Sequence, residues 1–335
     1  MSIQEVVPKG KKRIAGLGSA LVDILIHESD SFLEATGAAK GGMELVGEDT
    51  IYAILSGTRS EKKIVPGGSA CNTIIGVSCL GGQGRFVGKC GQDDFGDLFT
   101  NGLEKHQVEP ILFQSMSPTG RVLSIITPDA QRTMLTYLGA SSETFPHEIT
   151  DDCFADSAIV HLEGYLLFNR ELMTTALRAA KKAGAAISLD LASFTVVEQA
   201  KDFLMSVVQD YVDILIANED EARVFTGFSD ERSAISALSE KTEIAVLKVG
   251  QKGSYIADHG NIVRVEAIGS GKGRVIDTTG AGDLWASGFL YGLVNGFTVE
   301  ACGQLASACG YEVCQVVGAN IPEEGWKRIR LLIPE

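Results

Sequence analysis

The run Asp277-Thr278-Thr279-Gly280-Ala281-Gly282-Asp283 sets a glycine turn between two acids. Beyond it, Leu284, Leu290 and Leu293 continue at helical spacing up to Asn295-Gly296, a stop signal. The N–H groups of Gly280, Ala281 and Gly282 thus sit at a helix N-terminus, where unsatisfied amides and the dipole attract negative charge. Asp283 falls in the first turn, where the same dipole favours its ionised form. Donors that gather negative charge beside a carboxylate that accepts a proton are what phosphoryl transfer to an alcohol requires. A capping aspartate after a glycine turn is the plainer alternative.

A second glycine stretch, Pro66-Gly67-Gly68-Ser69-Ala70-Cys71-Asn72, brings backbone close to a partner and opens a helix at Ser69 or Ala70. Asn72 lies in that helix's first turn, where its amide can reach a bound hydroxyl. A tight turn needing glycine only for its backbone angles is the alternative. Two other glycine runs fail their tests. Gly16-Leu17-Gly18 would need a third glycine where Leu21 stands, and the chain continues as strand, which argues against a nicotinamide-dinucleotide oxidoreductase. Gly82 and Gly88 are separated by five residues, and Cys90 occupies the position where a P-loop needs Ser or Thr.

These residues need a frame. Apolar runs at 13–18, 85–90, 157–164, 185–191, 212–218 and 244–250 alternate with amphipathic helical patterns, such as 169–184, capped by Asn169 and stopped by Gly184. Runs apolar on both faces and separated by helices imply a three-layer α/β/α core around a mostly parallel sheet. The stretch 121–139 reads instead as an antiparallel hairpin around Pro128-Asp129, and Asp23 to about Ile64 reads as strand and turn. Together they form a small β-sheet lid, with surface loops as the alternative. The expected division is a core of 13–22, 65–111 and 141–335, and a lid of 23–64 and 112–140.

Forty-three acidic against 29 basic residues give a net charge of −14, which argues against non-specific nucleic-acid binding. The basic run at 9–13 reads as a solvated tail. The sequence shows no signal-peptide core, no apolar run long enough to span a bilayer and no Asn-x-Ser/Thr sequon, so the expectation is a cytoplasmic protein that meets no membrane. Seven cysteines without a C-x-x-C pair suit reduced thiols, and neither they nor the scattered histidines show zinc spacing.

With these residues in view, the chain resembles the ribokinase-like (PfkB) carbohydrate and nucleoside kinases along nearly its whole length. Gly67-Gly68-Ser69-Ala70-Cys71-Asn72 looks like the N-terminal signature, 218–222 like the Asn-x-x-Glu motif and 277–283 like the C-terminal signature. The stretches 87–96 and 248–254 resemble two further family segments. The resemblance implies transfer of the γ-phosphoryl of ATP, with Mg²⁺, to a hydroxyl of a nucleoside or sugar. Asp283 would be the base and Gly280, Ala281 and Gly282 the anion hole. Asn218 and Glu221 would organise Mg²⁺ and phosphate through water, although helix capping alone also puts Asn and Glu three apart. Lys248, Gly250 and Gly253 would border the nucleotide, while Asp23, Gly67, Gly68 and Asn72 would hold the acceptor. Asp277 and Thr279 would lie near a monovalent-cation (K⁺) site, with simple pinning of the turn by Asp277 as the equal alternative.

Residues 40–46, 128–141, 161–167 and 282–293 look like the bacterial adenosine-kinase-like subgroup. That likeness adds Gly42 to the acceptor positions and lets Arg132, on the lid hairpin, swing over the phosphates. Ser19 stands where the subgroup commonly carries Asn, a shorter reach that leaves a sugar acceptor open beside adenosine. By the same resemblance the small sheet is a lid or a dimer clasp, so a monomer and a homodimer both fit.

Overall fold

A computed structural model describes residues 6–129, 131–269 and 275–334. Its first strands are β1 (Arg13–Leu17), β2 (Leu21–His27), β3 (Met43–Leu45), β4 (Lys63–Gly67), β5 (Gln83–Gly91), β6 (Glu109–Ser115), β7 (Gly120–Ile126) and β8 (Arg132–Tyr137). There follow β9 (Ser157–Glu163), β10 (Ala186–Asp190), β11 (Ile214–Asn218), β12 (Ile244–Lys248), β13 (Ser254–Asp258) and β14 (Asn261–Val265). They build a nine-stranded sheet in the order β14-β13-β12-β11-β10-β9-β1-β5-β6 and a five-stranded sheet in the order β3-β8-β7-β2-β4. The large sheet is parallel from β12 through β6, and only β13 and β14 join it antiparallel.

The apolar runs are central strands because both of their faces are covered. Along β11, Leu215 and Ala217 face one core with the helices Arg170–Lys182 and Lys201–Tyr211. Ile214 and Ile216 face the other, with Ser69–Cys79, Ala281–Val294 and Val299–Val313. This alternation at period two explains why the strands read as continuous hydrophobic runs. Asn169 caps its helix as expected, accepting from Leu172 N–H at 3.1 Å.

The small sheet is the expected lid, but its detail departs from the sequence reading. The segment from Asp23 to Ile64 carries two helices, Asp30–Thr36 and Glu48–Gly57, and β3 is only three residues long. The first has clear signals, a Ser29 side chain accepting from Phe32 N–H and Gly37 in the left-handed region at φ 77°. The lid limits also shift: 112–115 belong to β6 in the large sheet, whereas Leu21, Val22 and 65–67 pair within the small one. The basic run is no free tail, since Lys11 Nζ donates to the Ala183 carbonyl at 2.8 Å and Lys12 Nζ to Asn295 Oδ1 at 3.1 Å, each at a helix C-terminus. Residues 1–5, ahead of that run, lie outside the described residues. All seven cysteines are free thiols, and Cys302 and Cys309 share a buried face of one helix.

Helix Ala281–Val294, which carries the glycine turn on its N-terminus, is buried on nearly every side. It crosses Val299–Val313 closely because Gly288 has no side chain. A methyl group there would lie 2.8 Å from Ala306 Cα and 2.9 Å from the Leu305 carbonyl, both backbone atoms that cannot step aside. Helix propensity alone would make Gly288→Ala stabilising by about 1 kcal/mol. Overpacking against fixed backbone costs about 1–3 kcal/mol and wins. Urea denaturation should therefore show the variant less stable than wild type; a gain in stability would contradict this packing.

Candidate active site

The carboxyl ends of the parallel strands form one edge, and the strands there finish on polar residues. Glu163, Asp190, Asn218 and Lys248 are the last residues of β9, β10, β11 and β12. Register pairs Asp190 with Glu163 and Asn218 with Lys248, and because Asp190 lies opposite Ile216 the second pair stands two residues further out along the edge. Ligand crevices of open α/β sheets lie at this edge. Onto it point the N-termini of two helices, Ser69–Cys79 and Ala281–Val294, packed together where Gly76 leaves room for Ser287.

The two glycine motifs meet at Asp283. Its Oδ1 accepts from Ser69 Oγ at 2.8 Å and its Oδ2 from Asn72 Nδ2 at 3.0 Å, while its backbone carbonyl accepts from Thr73 Oγ1 at 3.1 Å. Gly280 caps the helix in the left-handed region, φ 70°, as the turn requires. The Ala281 N–H is used internally, donating to the Thr278 carbonyl at 3.1 Å. The N–H groups of Gly280, Gly282 and Asp283 bond to no protein acceptor among the described residues, so Asp283 replaces Ala281 in the expected trio of open donors. Asp277 holds the turn from behind: Oδ1 accepts from Thr279 N–H at 2.9 Å and Thr279 Oγ1 at 2.6 Å, and Oδ2 from Gly318 N–H at 2.8 Å. Arg132 reaches across from the lid and donates to Thr279 Oγ1.

Burial dominates the electrostatics. It pushes the Asp283 carboxyl above the usual carboxylate range, while the Asn72 and Ser69 donors and Lys248 pull it back. Asp23, on β2 of the lid, is pushed up to about 7 by burial and by Asp283 and Asp277, against the Arg132 guanidinium. Glu221 is pushed up to about 7 by burial and by Asp190. Burial also disfavours the Asp190 charge, but the Lys248 ammonium outweighs it and holds that carboxyl below the usual range. So many buried acids suit a site completed by cations.

Glu221 fits Mg²⁺ only in the water-bridged sense. Its Oε2 accepts from Asn218 N–H at 2.8 Å and its Oε1 from Asn218 Nδ2 at 2.7 Å, a complete helix-capping box with both oxygens in use. Among the described residues, no group of three or more His, Cys, Asp or Glu side chains is disposed to hold a metal directly. A solvated Mg²⁺ arriving with a nucleotide would still stabilise the ionised form of Glu221.

Several expected contacts turn out to be made by the protein itself. The space a side chain on Gly67 would need is filled by the Asp23 carboxylate, and that of Gly68, at φ 95°, by the Ser19 carbonyl. Ser19 N–H donates to Glu163 Oε1 at 2.9 Å, and Ala70 N–H to Glu163 Oε2 at 3.1 Å. Gly253, at φ 96°, lies against the Val265 carbonyl, and Gly250, at φ 54°, opens the short turn between β12 and β13. Gly42 stands apart, its carbonyl accepting from Met134 N–H at 2.9 Å on the lid's β3 edge. Sequence reasoning missed Ser69, Glu163, Asp190 and Tyr165. The phenol of Tyr165, in the turn after β9, is pushed up to about 12 by burial and by Glu163 and Asp283. The available signal for Glu163 and Asp190 was a lone acid closing an otherwise apolar strand.

Fold and site together define a phosphotransferase with an alcohol acceptor. The profile of the pfkB family of carbohydrate kinases matches residues 32–325. The 5-dehydro-2-deoxygluconokinase of Bacillus subtilis (strain 168) is 30% identical over 257 residues, covering 72% of this chain and 78% of its own. The crystal structure of adenosine kinase from Sinorhizobium meliloti superposes with a TM-score of 0.84 at 32% identity, covering 93% of this chain and 96% of that one. A probable sugar kinase from Rhizobium etli CFN 42 gives 0.87 at 31%, covering 96% and 99%. The chain belongs to the pfkB family and is a kinase of a sugar or nucleoside.

The raised Asp23 carboxyl makes stability depend on pH. A folded-state value of about 7 against an ordinary 3.8 means that the native state holds a proton the unfolded chain releases. Its contribution is therefore present at low pH and is lost as pH rises from about 4 to about 7. Asp23→Asn removes this loss, so the melting temperature of the ligand-free variant relative to wild type should be higher at about pH 8 than at about pH 5. An offset independent of pH would contradict the assignment.

Proposed function

We propose that the protein transfers the γ-phosphoryl group of ATP to a hydroxyl of a nucleoside, adenosine or a close analogue, with Asp283 as the general base. The observation that carries this reading is the Asp283 carboxylate, half-buried and held by Ser69 and Asn72 in the same first helical turn as the open amides. The acceptor oxygen loses its proton to Asp283 and bonds to phosphorus, while the bond to the β,γ-bridging oxygen breaks and ADP leaves. The Gly280, Gly282 and Asp283 amides hold the negative charge of the group in flight. Mg²⁺ bound with the nucleotide would supply further neutralisation, with Asn218 and Glu221 orienting its waters.

Asp23 and Asn72 are the groups placed to hold the acceptor's hydroxyls. Arg132 ties the lid to Thr279 over the site, which excludes water as a competing acceptor. The Asp277 bonds to Thr279 and Gly318 favour its role in pinning the turn over a K⁺ site beside it. Tyr165 favours a nucleoside, because its partly exposed ring, near enough to Glu163 and Asp283 to feel their charge, offers an aromatic face to a base. The likeness to the Sinorhizobium adenosine kinase supports the same choice. A sugar acceptor is the second reading, favoured by the Bacillus gluconokinase relative and by the short Ser19 side chain. Among the described residues no helix is long and apolar enough to cross a membrane.

A screen of ADP release across adenosine, ribose, fructose and keto-deoxy sugars decides the acceptor. Adenosine should give the highest kcat/KM, and a sugar in that place would establish the second reading. With the best acceptor, Asp283→Asn should lower turnover by about 10²–10⁴-fold while melting temperature and acceptor affinity stay near wild type. Near-normal turnover would remove Asp283 from the role of base.

A further inference from the structure

Lys248, expected to border the nucleotide, stands beside the glycine turn at 280–282. It closes β12, in register with Asn218, and its side chain turns toward the glycine run. A methyl group placed on Gly282 would lie 3.1 Å from Lys248 Nζ, and nothing else approaches Gly282 within 4 Å. The ammonium therefore sits beside the open Gly282 and Asp283 amides. Nζ donates to Asp190 Oδ2 at 2.8 Å, its one hydrogen bond among the described residues, which leaves two of its three N–H donors without a protein acceptor there. The side chain is largely buried, 15% exposed, and its partner Asp190 only 6%.

Three carboxylates surround this cation. Burial would lower the Lys248 ammonium, but Asp190, Glu221 and Asp283 outweigh it and hold the group charged. A buried ammonium with a single hydrogen-bond partner among the described residues, adjoining amides that also lack acceptors there, is an incomplete anion site. A side chain at position 282 would press on the ammonium, which would have to give way by a few tenths of an ångström. Asp190 explains why the ammonium stays at this edge in the absence of a ligand, since the pair is mutually neutralising.

We infer that Lys248, held in place by Asp190, binds the transferred phosphoryl group itself and forms the cationic wall of the anion hole. This rests on the phosphotransfer reading and sharpens it, because it assigns Lys248 to the γ-phosphate rather than to the rest of the nucleotide. ATP and ADP differ by that group alone, so paired affinities isolate it. Calorimetry with Mg·ATP and Mg·ADP, without acceptor, measures both for wild type and Lys248→Met.

Loss of a charge-assisted contact should weaken Mg·ATP by about tenfold or more in the variant and leave Mg·ADP within about twofold. Lys248→Arg, which keeps the charge, should recover part of the ATP affinity. Because Lys248→Met leaves Asp190 buried without its partner, the double variant Lys248→Met with Asp190→Asn repeats the measurement with no orphaned charge, and the same ATP-selective loss is expected. Equal losses of ATP and ADP, or no loss, in the double variant would overturn the inference while leaving the kinase reading intact. Failure of wild type to bind either nucleotide would overturn both.

Discussion

The site depends on one tie between two helices. Ser69 and Asn72 begin one helix, Asp283 begins the other, and two hydrogen bonds to a single carboxylate join them at the sheet edge. The tie is possible only because the helices run close together, with Gly76 against Ser287 and Gly288 against the backbone of the next helix. Two glycine motifs more than two hundred residues apart in sequence thus become one constellation. The carboxylate can remain ionised in a buried place because donors from the first helix compensate for lost water. The dipole of its own helix acts in the same direction.

Around that tie the acids have separate tasks. Glu163 is structural, clamping the backbone of Ser19 and Ala70 so that the loop after β1 lies against the first glycine motif. Asp277 holds the anion turn in its left-handed shape through Thr279 and Gly318. Asp190 and Glu221 face Lys248, and Asp23 faces Arg132. The cations are few against this many carboxylates, so the ligand-free site is short of positive charge. A nucleotide arriving with its metal would relieve that shortage, and Arg132, which belongs to the lid yet bonds the glycine turn, would couple lid closure to it.

Much of this was legible in sequence where one local rule decides. The two-faced apolar runs are strands because both faces are buried. Asn169 and Gly280 are caps because their side chain or backbone freedom fits the position. Where two rules compete, reading failed. In the lid, the helix starting after Ser29 is short, and its cap signals were outweighed by the surrounding strand-like pattern. Ala281 lost its amide to the turn's own carbonyl, which only the three-dimensional path of Thr278 decides. Glu163, Asp190 and Lys248 share an edge because of strand order, and that order is not written in any window of residues. The glycines at 67 and 68 were read as marking close approach, and on their side-chain side they approach protein, which spacing does not reveal.

The central claim is that Asp283 acts as an ionised base whose charge is maintained by Ser69 and Asn72. It is tested most directly by the pH dependence of kcat/KM in wild type and in Ser69→Ala. Burial raises the Asp283 carboxyl, so the acidic limb of the wild-type profile should lie above the ordinary carboxylate range. Removing the Ser69 donor raises that carboxyl further, and the limb should move to still higher pH while the alkaline side stays in place. A limb in the ordinary carboxylate range that is indifferent to Ser69 would contradict the account.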